Sequence, residues 1–269
     1  MRKGKGRNAV WTNEDILRVA LEQSAVDMNC APGDFLAARS KVVHSMPHPG
    51  ARRYLALPFS CNLVSYGNHI VASVSPEAEP VVRAYIDAYP AEHCFETPNL
   101  HVLSDGLAPL GLKVCFMAEY FLPDVTLLRP RPSACETRVL GPEEFAGLYL
   151  PQWANALCEK RKALDVLAVG AYEEGALVGL AGCSADCDAM WQIGIDVLPG
   201  HRRLGIASAL TSRLALEALA RGKVPFYCAA WSNIRSVRNA LRCGFRPAWV
   251  ELTARPAAEV DRMNEKHRP

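Results

Sequence analysis

The segment Leu198–Ala220 constrains this chain more than any other part of the sequence. A strand-like run, Trp191–Val197, leads into a short basic turn that contains glycine, and a helical pattern follows directly. Such a turn points several backbone N–H groups and the positive end of a helix dipole at one spot, which binds phosphate oxygens without a dedicated side chain. Arg202 and Arg203 place charged hydrogen-bond donors beside it. The segment therefore predicts a phosphate-binding turn.

Two familiar phosphate-binding motifs are excluded by the spacing. Gly200 and Gly205 are separated by four residues, as in a P-loop, but Ile206 and Ala207 stand where that motif needs Lys followed by Ser or Thr. A GxGxxG dinucleotide fingerprint is also missing. The pattern that remains is Arg202-x-x-Gly205-x-Ala207.

The residues after this turn continue an alternation of helices and strands. The helix stops at Gly222, and the apolar, aromatic run Pro225–Trp231 predicts a strand. A second helix opens at Asn233 and closes at Gly244-Phe245, and a last strand covers Pro247–Thr253. Upstream, strands are expected at 136–140, 164–172, 176–184 and 190–197, with helices between the first two.

This order resembles the GNAT superfamily of acyl-CoA-dependent N-acetyltransferases over residues 136–255, about half of the chain. Members carry the Arg-x-x-Gly-x-Ala loop and an Asn at a fixed distance before Gly-Phe, as Asn233 precedes Gly244-Phe245 here. The resemblance implies a mixed α/β (α+β) domain with acetyl-CoA as acyl donor and CoA as product.

The expected cofactor contacts follow the same segment. Backbone amides of the turn would hold the pyrophosphate, main-chain groups of the preceding strand would bind the pantetheine arm, and the N–H near Val197 would polarise the thioester carbonyl. The start of the second helix would supply further contacts, although Asn233 is equally suited to capping that helix. The cofactor-binding residues expected are Ile195, Val197, Arg202, Arg203, Leu204, Gly205, Ile206, Ala207, Ser208, Asn233 and Ser236.

The acid and base of the reaction are less well provided for. An ammonium of pKa ~10.4 costs about 4 kcal/mol to deprotonate at neutral pH. Many relatives place a Glu on the strand before the phosphate turn, where this chain has Gln192, and a Tyr seven residues after the Asn, where it has Ala240. Asp196 shares a strand face with Gln192, which makes it the candidate for a water-mediated proton relay or for a structural role. The candidate catalytic residues are Gln192 and Asp196.

Composition excludes several classes of function. The formal net charge of +2 does not favour nucleic acid, and no apolar run reaches the 18 residues of a membrane span. The N-terminal basic stretch lacks the apolar segment of a secretory signal, so we expect a cytoplasmic protein. The ten cysteines lie mostly among apolar neighbours, and the one close pair, Cys183 and Cys187, lacks further ligands; no metal is expected.

The first half of the chain predicts a separate domain. Helices are expected at 12–28, 76–89 and 98–111, a hairpin turns at Gly67-Asn68, and a strand covers Leu112–Leu122. The proline-containing stretch 123–132 is taken as a linker, which gives domains 1–130 and 131–269. The first domain is a mixed α/β lobe for acceptor recognition; a diverged second copy of the same fold is the alternative.

The leading hypothesis is an N-acyltransferase that moves an acetyl group to the amine of a small molecule or amino acid. A non-catalytic CoA sensor is favoured by Gln192 and Ala240. A peptide or protein N-acetyltransferase would need an acidic groove, and no acidic cluster surrounds the candidate site. The sequence is compatible with a homodimer and leaves the oligomeric state open.

Overall fold

The computed structural model describes residues 10–265, which divide into two compact units. Unit A contains Phe121–Pro247 together with the chain up to Ala20, and unit B contains Leu21–Tyr120 together with the chain from Ala248. The division differs from the single boundary expected between residues 130 and 131, because unit A also includes the N-terminal segment up to Ala20 and unit B the C-terminal segment from Ala248.

Helices and strands are mixed along the whole of the described chain. In order they are α1 (Asn13–Met28), β1 (Lys41–His44), β2 (Cys61–Ser65), β3 (Val71–Val74), α2 (Glu79–Ala88), α3 (Thr97–Leu107), β4 (Leu112–Pro123), β5 (Glu136–Leu140), α4 (Pro142–Phe145), β6 (Asp165–Glu173), β7 (Ala176–Ser184), β8 (Met190–Val197), α5 (Ile206–Ala220), β9 (Val224–Ala229), α6 (Ile234–Cys243), β10 (Phe245–Pro256) and α7 (Ala257–Glu265).

Unit A is built on a sheet in the strand order β9-β8-β7-β6-β5. The strands from β5 to β8 are antiparallel neighbours, whereas β8 and β9 run parallel. Helix α5 covers one face of this sheet, and its residues Ile206, Leu210, Leu214 and Ala218 recur every four positions and are all buried. A second apolar cluster around Phe145, Trp153 and Leu180 covers the opposite face.

Unit B has a sheet in the order β1-β3-β2-β10-β4. One face packs on an apolar core that includes residues of α2 and α3. A group of buried polar side chains also lies in this unit, with Arg52 paired to Asp27 and Glu251 and the rings of Tyr120 and Tyr66 each stacked on Trp249.

Most of the expected elements are confirmed. The fold class is mixed α/β, the hairpin around Gly67 forms between β2 and β3, and β4, β7 and β8 cover the expected residues. The differences lie at element ends: α2 begins at Glu79 rather than Pro76, the segment 151–161 forms 3-10 turns instead of a helix, and β10 starts at Phe245. Strand β1 and helix α7 were not expected.

The stretch 123–132 is not a linker between domains. It belongs to unit A, where Leu128 is buried in the same core as Phe121. Gly244, which ends α6 at φ +95°, lies so close to this stretch that an added Cβ would stand 2.7 Å from the Leu127 carbonyl carbon. The three prolines interrupt regular structure there without separating two folded bodies.

The sequence also raised the questions of a membrane span, a metal site and disulfides. Within the described residues no helix is long and apolar enough to cross a membrane, and no group of three or more His, Cys, Asp or Glu is arranged to hold a metal ion. None of the ten cysteines, all of which lie within residues 10–265, forms a disulfide. The basic N-terminal stretch lies outside the described residues.

Candidate functional site

The two parallel strands of unit A separate part of the way along their length. Strand β8 pairs with β9 only from Met190 to Gln192, opposite Val224 to Phe226, although β8 continues to Val197 and β9 to Ala229. The last five residues of β8 remain paired with β7 on their other side. A strand edge with unsatisfied backbone groups is therefore open toward a ligand.

The hydrogen-bonding direction of β8 fixes which residues serve this edge. The N–H of Leu198 donates to the Val178 carbonyl on β7. Because backbone groups alternate between the two edges of a strand, the N–H and C=O of Val197, Ile195 and Ile193 point to the β9 side. This agrees with the Ala189 carbonyl accepting from Val224 on β9. The edge thus presents backbone groups of Ile195 and Val197 on the β9 side.

The turn after β8 has the backbone conformation of an anion-binding nest. Gly205 precedes α5 with φ +83°, and Arg203 has φ +68°, which is rare for a residue with a side chain. Left-handed residues alternating in this way point successive N–H groups into one concavity. Strain of this kind collects at ligand-binding turns.

The first amides of α5 have no internal acceptor. The first hydrogen bond into the helix runs from the Ala209 N–H to the Gly205 carbonyl, so the N–H groups of Ile206, Ala207 and Ser208 lack intrahelical acceptors. Gly205 supplies no side-chain cap. The helix dipole adds partial positive charge at the same point. These amides and the exposed Arg203 are suited to phosphate oxygens.

The expected residues around this turn differ in what their side chains do. The Arg202 Nε donates to the Val197 carbonyl at 3.1 Å, which folds that side chain back against the end of β8. The Ser208 hydroxyl donates to Asn239 on α6 at 3.0 Å. The exposed Leu204 completes the turn. Ser208 therefore contributes to this site through its backbone N–H.

Asn233 is the N-cap of α6. Its side-chain oxygen accepts from the Ser236 N–H at 3.2 Å, which is the capping alternative considered from the sequence. The Tyr227 hydroxyl forms hydrogen bonds with Ser236 and Asn239, and burial raises the pKa of Tyr227. Asn233 and Ser236 thus organise the start of α6, where both lie near the end of β9.

Gln192 stands where β8 and β9 begin to separate. Its side-chain amide donates to the Cys228 thiol of β9 at 3.2 Å. An amide of this kind holds no proton-accepting group of useful basicity, so Gln192 can orient a reactant but cannot deprotonate one. No spacing rule in the sequence would have paired Cys228 with Gln192, which is 36 positions away.

The Asp196 carboxylate is hydrogen-bonded to a neighbouring turn. Its carboxylate accepts from the Asn155 N–H at 2.8 Å, from the Asn155 side-chain amide at 2.7 Å and from the Ala156 N–H at 2.9 Å. Both carboxylate oxygens are thereby satisfied, which is the arrangement of a structural anchor. The expected face shared with Gln192 is consistent with the alternation of β8.

Two glycines let that turn lie directly on the sheet. Gly182 and Gly194 are opposite each other on β7 and β8, and an added Cβ would stand 2.0 Å from the Ala156 carbonyl oxygen and 1.8 Å from the Asn155 carbonyl oxygen, respectively. Glycine inside a strand indicates this kind of close backbone approach. That signal was present in the sequence and indicates a close backbone approach on this face, without identifying the segment that makes it.

The geometry supports binding of a ligand that is anionic at one end and extended at the other. The nest and helix N-terminus suit a pyrophosphate, and the open edge of β8 suits an amide-containing chain that lies beside it as an added strand. Gln192 and Cys228 lie where the far end of such a chain would stop. No metal-assisted chemistry is needed for any of these contacts.

A family comparison agrees with this arrangement. The model of the acetyltransferase (GNAT) family matches residues 134–245. The match covers the sheet from β5 to β9, the phosphate turn, α5 and α6. No curated protein matches the chain.

Solved structures show more distant likenesses. A GCN5-related N-acetyltransferase-like protein from Streptococcus suis is 20% identical over 58% of this chain and 69% of its own, with a TM-score of 0.43. A GCN5-related N-acetyltransferase from Kribbella flavida is 20% identical over 56% and 63%, with a TM-score of 0.42. An acetyltransferase of the GNAT family from Colwellia psychrerythraea is 17% identical over 53% and 56%, with a TM-score of 0.40. The family assignment comes from residues 134–245 and not from these likenesses.

Proposed function

We propose that this chain transfers an acetyl group to the amine of a small molecule or amino acid. Residues 134–245 belong to the GNAT family of acetyltransferases, whose acyl donor is acetyl-CoA. The observation that carries the proposal is the separation of β8 from β9 after Gln192, directly upstream of an uncapped helix N-terminus. The open strand edge suits the pantetheine arm of CoA, and the anion site next to it suits the pyrophosphate.

The described residues offer a group to each part of this cofactor. The amides from Leu204 to Ser208 would hold the pyrophosphate, with the Arg203 guanidinium beside them. The backbone N–H and C=O groups of Ile195 and Val197, which point from β8 toward the β9 side, would bind the pantetheine amides. The Ile193 N–H, which points to the β9 side next to Gln192, is the candidate to polarise the thioester carbonyl, because the pairing of β8 with β7 fixes it and it needs no reorganisation. The Val197 N–H, first expected in that role, lies at the pyrophosphate end of β8.

The reaction needs one proton to leave the ammonium before the nitrogen can attack. Gln192 cannot accept it, and Asp196 is engaged by Asn155 and Ala156. We therefore assign Asp196 to positioning the 155–156 turn and Gln192 to orienting the acceptor. The reaction therefore needs a proton acceptor other than these two residues.

A compact acceptor is favoured by the cover on the sheet face that carries Gln192. The segment at Asn155 and Ala156 packs onto Gly182 and Gly194, so the part of this face next to Gln192 is covered, which favours a small acceptor over a polypeptide. Unit B has no cofactor motif of its own, and we propose that it serves acceptor selection. We also propose action in the cytoplasm, where the ten cysteines, none of them in a disulfide, would stay reduced.

The alternative that a specific observation favours is a CoA sensor without catalysis. Gln192 in place of a carboxylate and a buried Ala240 in place of a hydroxyl remove two groups that help turnover. The test is incubation of the purified protein with acetyl-CoA and a panel of primary amines and amino acids, with detection of free thiol and of N-acetylated product by mass spectrometry. Stoichiometric thiol and product support the proposal. Binding of CoA by calorimetry with no product on any amine would support the sensor instead.

A further inference from the structure

A row of polar side chains crosses the sheet of unit A at the level of Gln192. Ser184 on β7 is directly opposite Gln192 on β8, and Asp165 on β6 is directly opposite Ser184. Residues that are directly opposite in adjacent strands share a face of the sheet. Asp165, Ser184 and Gln192 therefore lie on one face, spaced by about 5 Å from strand to strand.

Asp165 is held in place and keeps one oxygen available. Its Oδ2 accepts from the Cys158 N–H at 2.8 Å and from the Tyr149 hydroxyl at 3.2 Å. Among the described residues none donates to its Oδ1. Arg161, the nearest cation, is paired with Asp186. Asp165 is thus a buried carboxyl with a fixed orientation, and no residue within 10–265 forms an ion pair with it.

The environment of Asp165 moves its titration toward neutral pH. Burial raises the pKa of the Asp165 carboxyl, and the nearby Asp186 adds to that rise. The hydrogen bonds from Cys158 and Tyr149 and the charge of Arg161 act in the opposite direction without cancelling it. A proton acceptor works best when its pKa lies near the working pH.

Ser184 stands between this carboxyl and Gln192. Its hydroxyl oxygen is buried and has no hydrogen-bond partner among the described residues. A buried hydroxyl without a protein partner is ordinarily satisfied by water. The strand spacing on each side leaves room for one such bridge between Ser184 and its two neighbours in the row.

We propose that Asp165 receives the proton of the acceptor ammonium through the Ser184 hydroxyl and bridging water. The inference rests on the proposed acetyl transfer. The proton leaves the ammonium beside Gln192 and reaches Asp165 Oδ1, which later returns it to solvent. The nitrogen lone pair then forms the C–N bond as the C–S bond breaks, and the second nitrogen proton passes to the leaving thiolate, so one proton is released in each turnover.

The test compares Asp165→Asn with the wild type. Asparagine retains an oxygen that accepts from Cys158 and Tyr149 but cannot take up a proton. We expect kcat/KM for the best primary amine of the panel to fall roughly 100-fold at pH 7 and to recover toward the wild-type value as the pH approaches the pKa of the amine. The CoA dissociation constant should stay unchanged. Asp188→Asn, at an exposed aspartate after β7, is the matched control and should match the wild type at every pH.

Stability provides a readout that does not depend on turnover. A carboxyl whose pKa is raised on folding contributes stability below its unfolded pKa of about 4 and loses it as the pH rises through the folded value. Asp165→Asn should therefore be at least as stable as the wild type at pH 7, and this advantage should shrink below pH about 4. A purely structural Asp165 predicts a loss of stability at pH 7 instead.

Variants of Ser184 test whether its hydroxyl passes the proton to Asp165. Ser184→Ala should reduce kcat/KM at pH 7 with the same recovery at high pH, whereas Ser184→Thr, which keeps the hydroxyl, should retain most activity. A pH-independent loss in Asp165→Asn, or an unchanged pH profile, overturns this inference while leaving acetyl transfer intact. Absence of any product with the wild-type protein overturns the proposed function and this inference together.

Discussion

Asp196 and Asn155 are joined by two hydrogen bonds, one from the Asn155 backbone N–H at 2.8 Å and one from its side-chain amide at 2.7 Å. The same carboxylate accepts from the Ala156 N–H. The strand that supplies the open edge and the segment that covers its other face are thereby held at a fixed separation. The geometry around Gln192 depends on this anchor.

Asp196→Ala should lower the free energy of unfolding by roughly 2 kcal/mol, because it removes charge-assisted hydrogen bonds and leaves two backbone donors to find other partners. Urea unfolding of the variant and the wild type measures this change. Turnover should fall while the shape of its pH profile stays the same. If the variant is as stable as the wild type and its pH–rate profile loses the acidic limb, Asp196 is a proton acceptor and not an anchor.

Gly194→Ala should be strongly disruptive for its size. The new methyl group would stand 1.8 Å from the Asn155 carbonyl oxygen, so the 155–156 turn must move away from the sheet. Overpacking of this kind costs roughly 1–3 kcal/mol. Gly147→Ala is the control, since an added Cβ there meets no atom within 4 Å. Equal unfolding midpoints for the two variants would mean that the turn does not pack as described.

Arg52→Met should destabilise unit B more than any surface change. Arg52 is 4% exposed and pairs with Asp27 at 2.5 Å and with Glu251 at 2.8 Å. Its removal leaves two buried carboxylates without a cation, which costs about 3–5 kcal/mol. Adding Asp27→Asn and Glu251→Gln to the variant should recover most of that loss. Failure of the triple variant to recover stability would show that the cost is one of packing rather than charge.

The Asp124 carboxylate gives unit A an acid-sensitive contribution. Hydrogen bonds from Thr126 and Asn13, with the charge of Arg246, lower the pKa of Asp124 to about 2. A carboxyl whose pKa is lowered on folding stabilises the protein above its unfolded pKa of about 4 and loses this effect as the pH falls toward 2. The stability difference between the wild type and Asp124→Asn should be constant above pH about 5 and shrink on acidification. A difference that is independent of pH would contradict the assigned contacts.

The phosphate turn could be predicted from the sequence because its signals are local. Gly205 supplies the left-handed residue, the apolar residues of α5 recur every four positions, and both lie within one short segment. The strands β7 and β8 were equally clear for the same reason. The capping role of Asn233 was foreseen because it involves a residue only three positions away.

The contacts that define the rest of the site join distant parts of the chain. Asp196 meets Asn155 across 41 positions, and Gln192 meets Cys228 across 36. Patterns of local spacing carry no information on such pairs. The division into units shows the same limit: the prolines of 123–132 indicate a break in regular structure, but Leu128 packs into the core of unit A. A fragment starting at Arg131 would therefore lose part of that core.

The central claim is that CoA binds across the turn that precedes α5, and calorimetric titration of CoA into Gly205→Val tests it most directly. Gly205 has φ +83° and borders the uncapped amides, so a β-branched side chain obstructs the anion site and strains the turn. Gly200→Val is the matched control, because an added Cβ at Gly200 meets no atom within 4 Å and its backbone is not left-handed. We predict wild-type affinity for Gly200→Val and a CoA dissociation constant raised by more than ~100-fold for Gly205→Val, the equivalent of roughly 3 kcal/mol, with both variants folded by circular dichroism. Unchanged CoA affinity in a folded Gly205→Val protein would contradict the account.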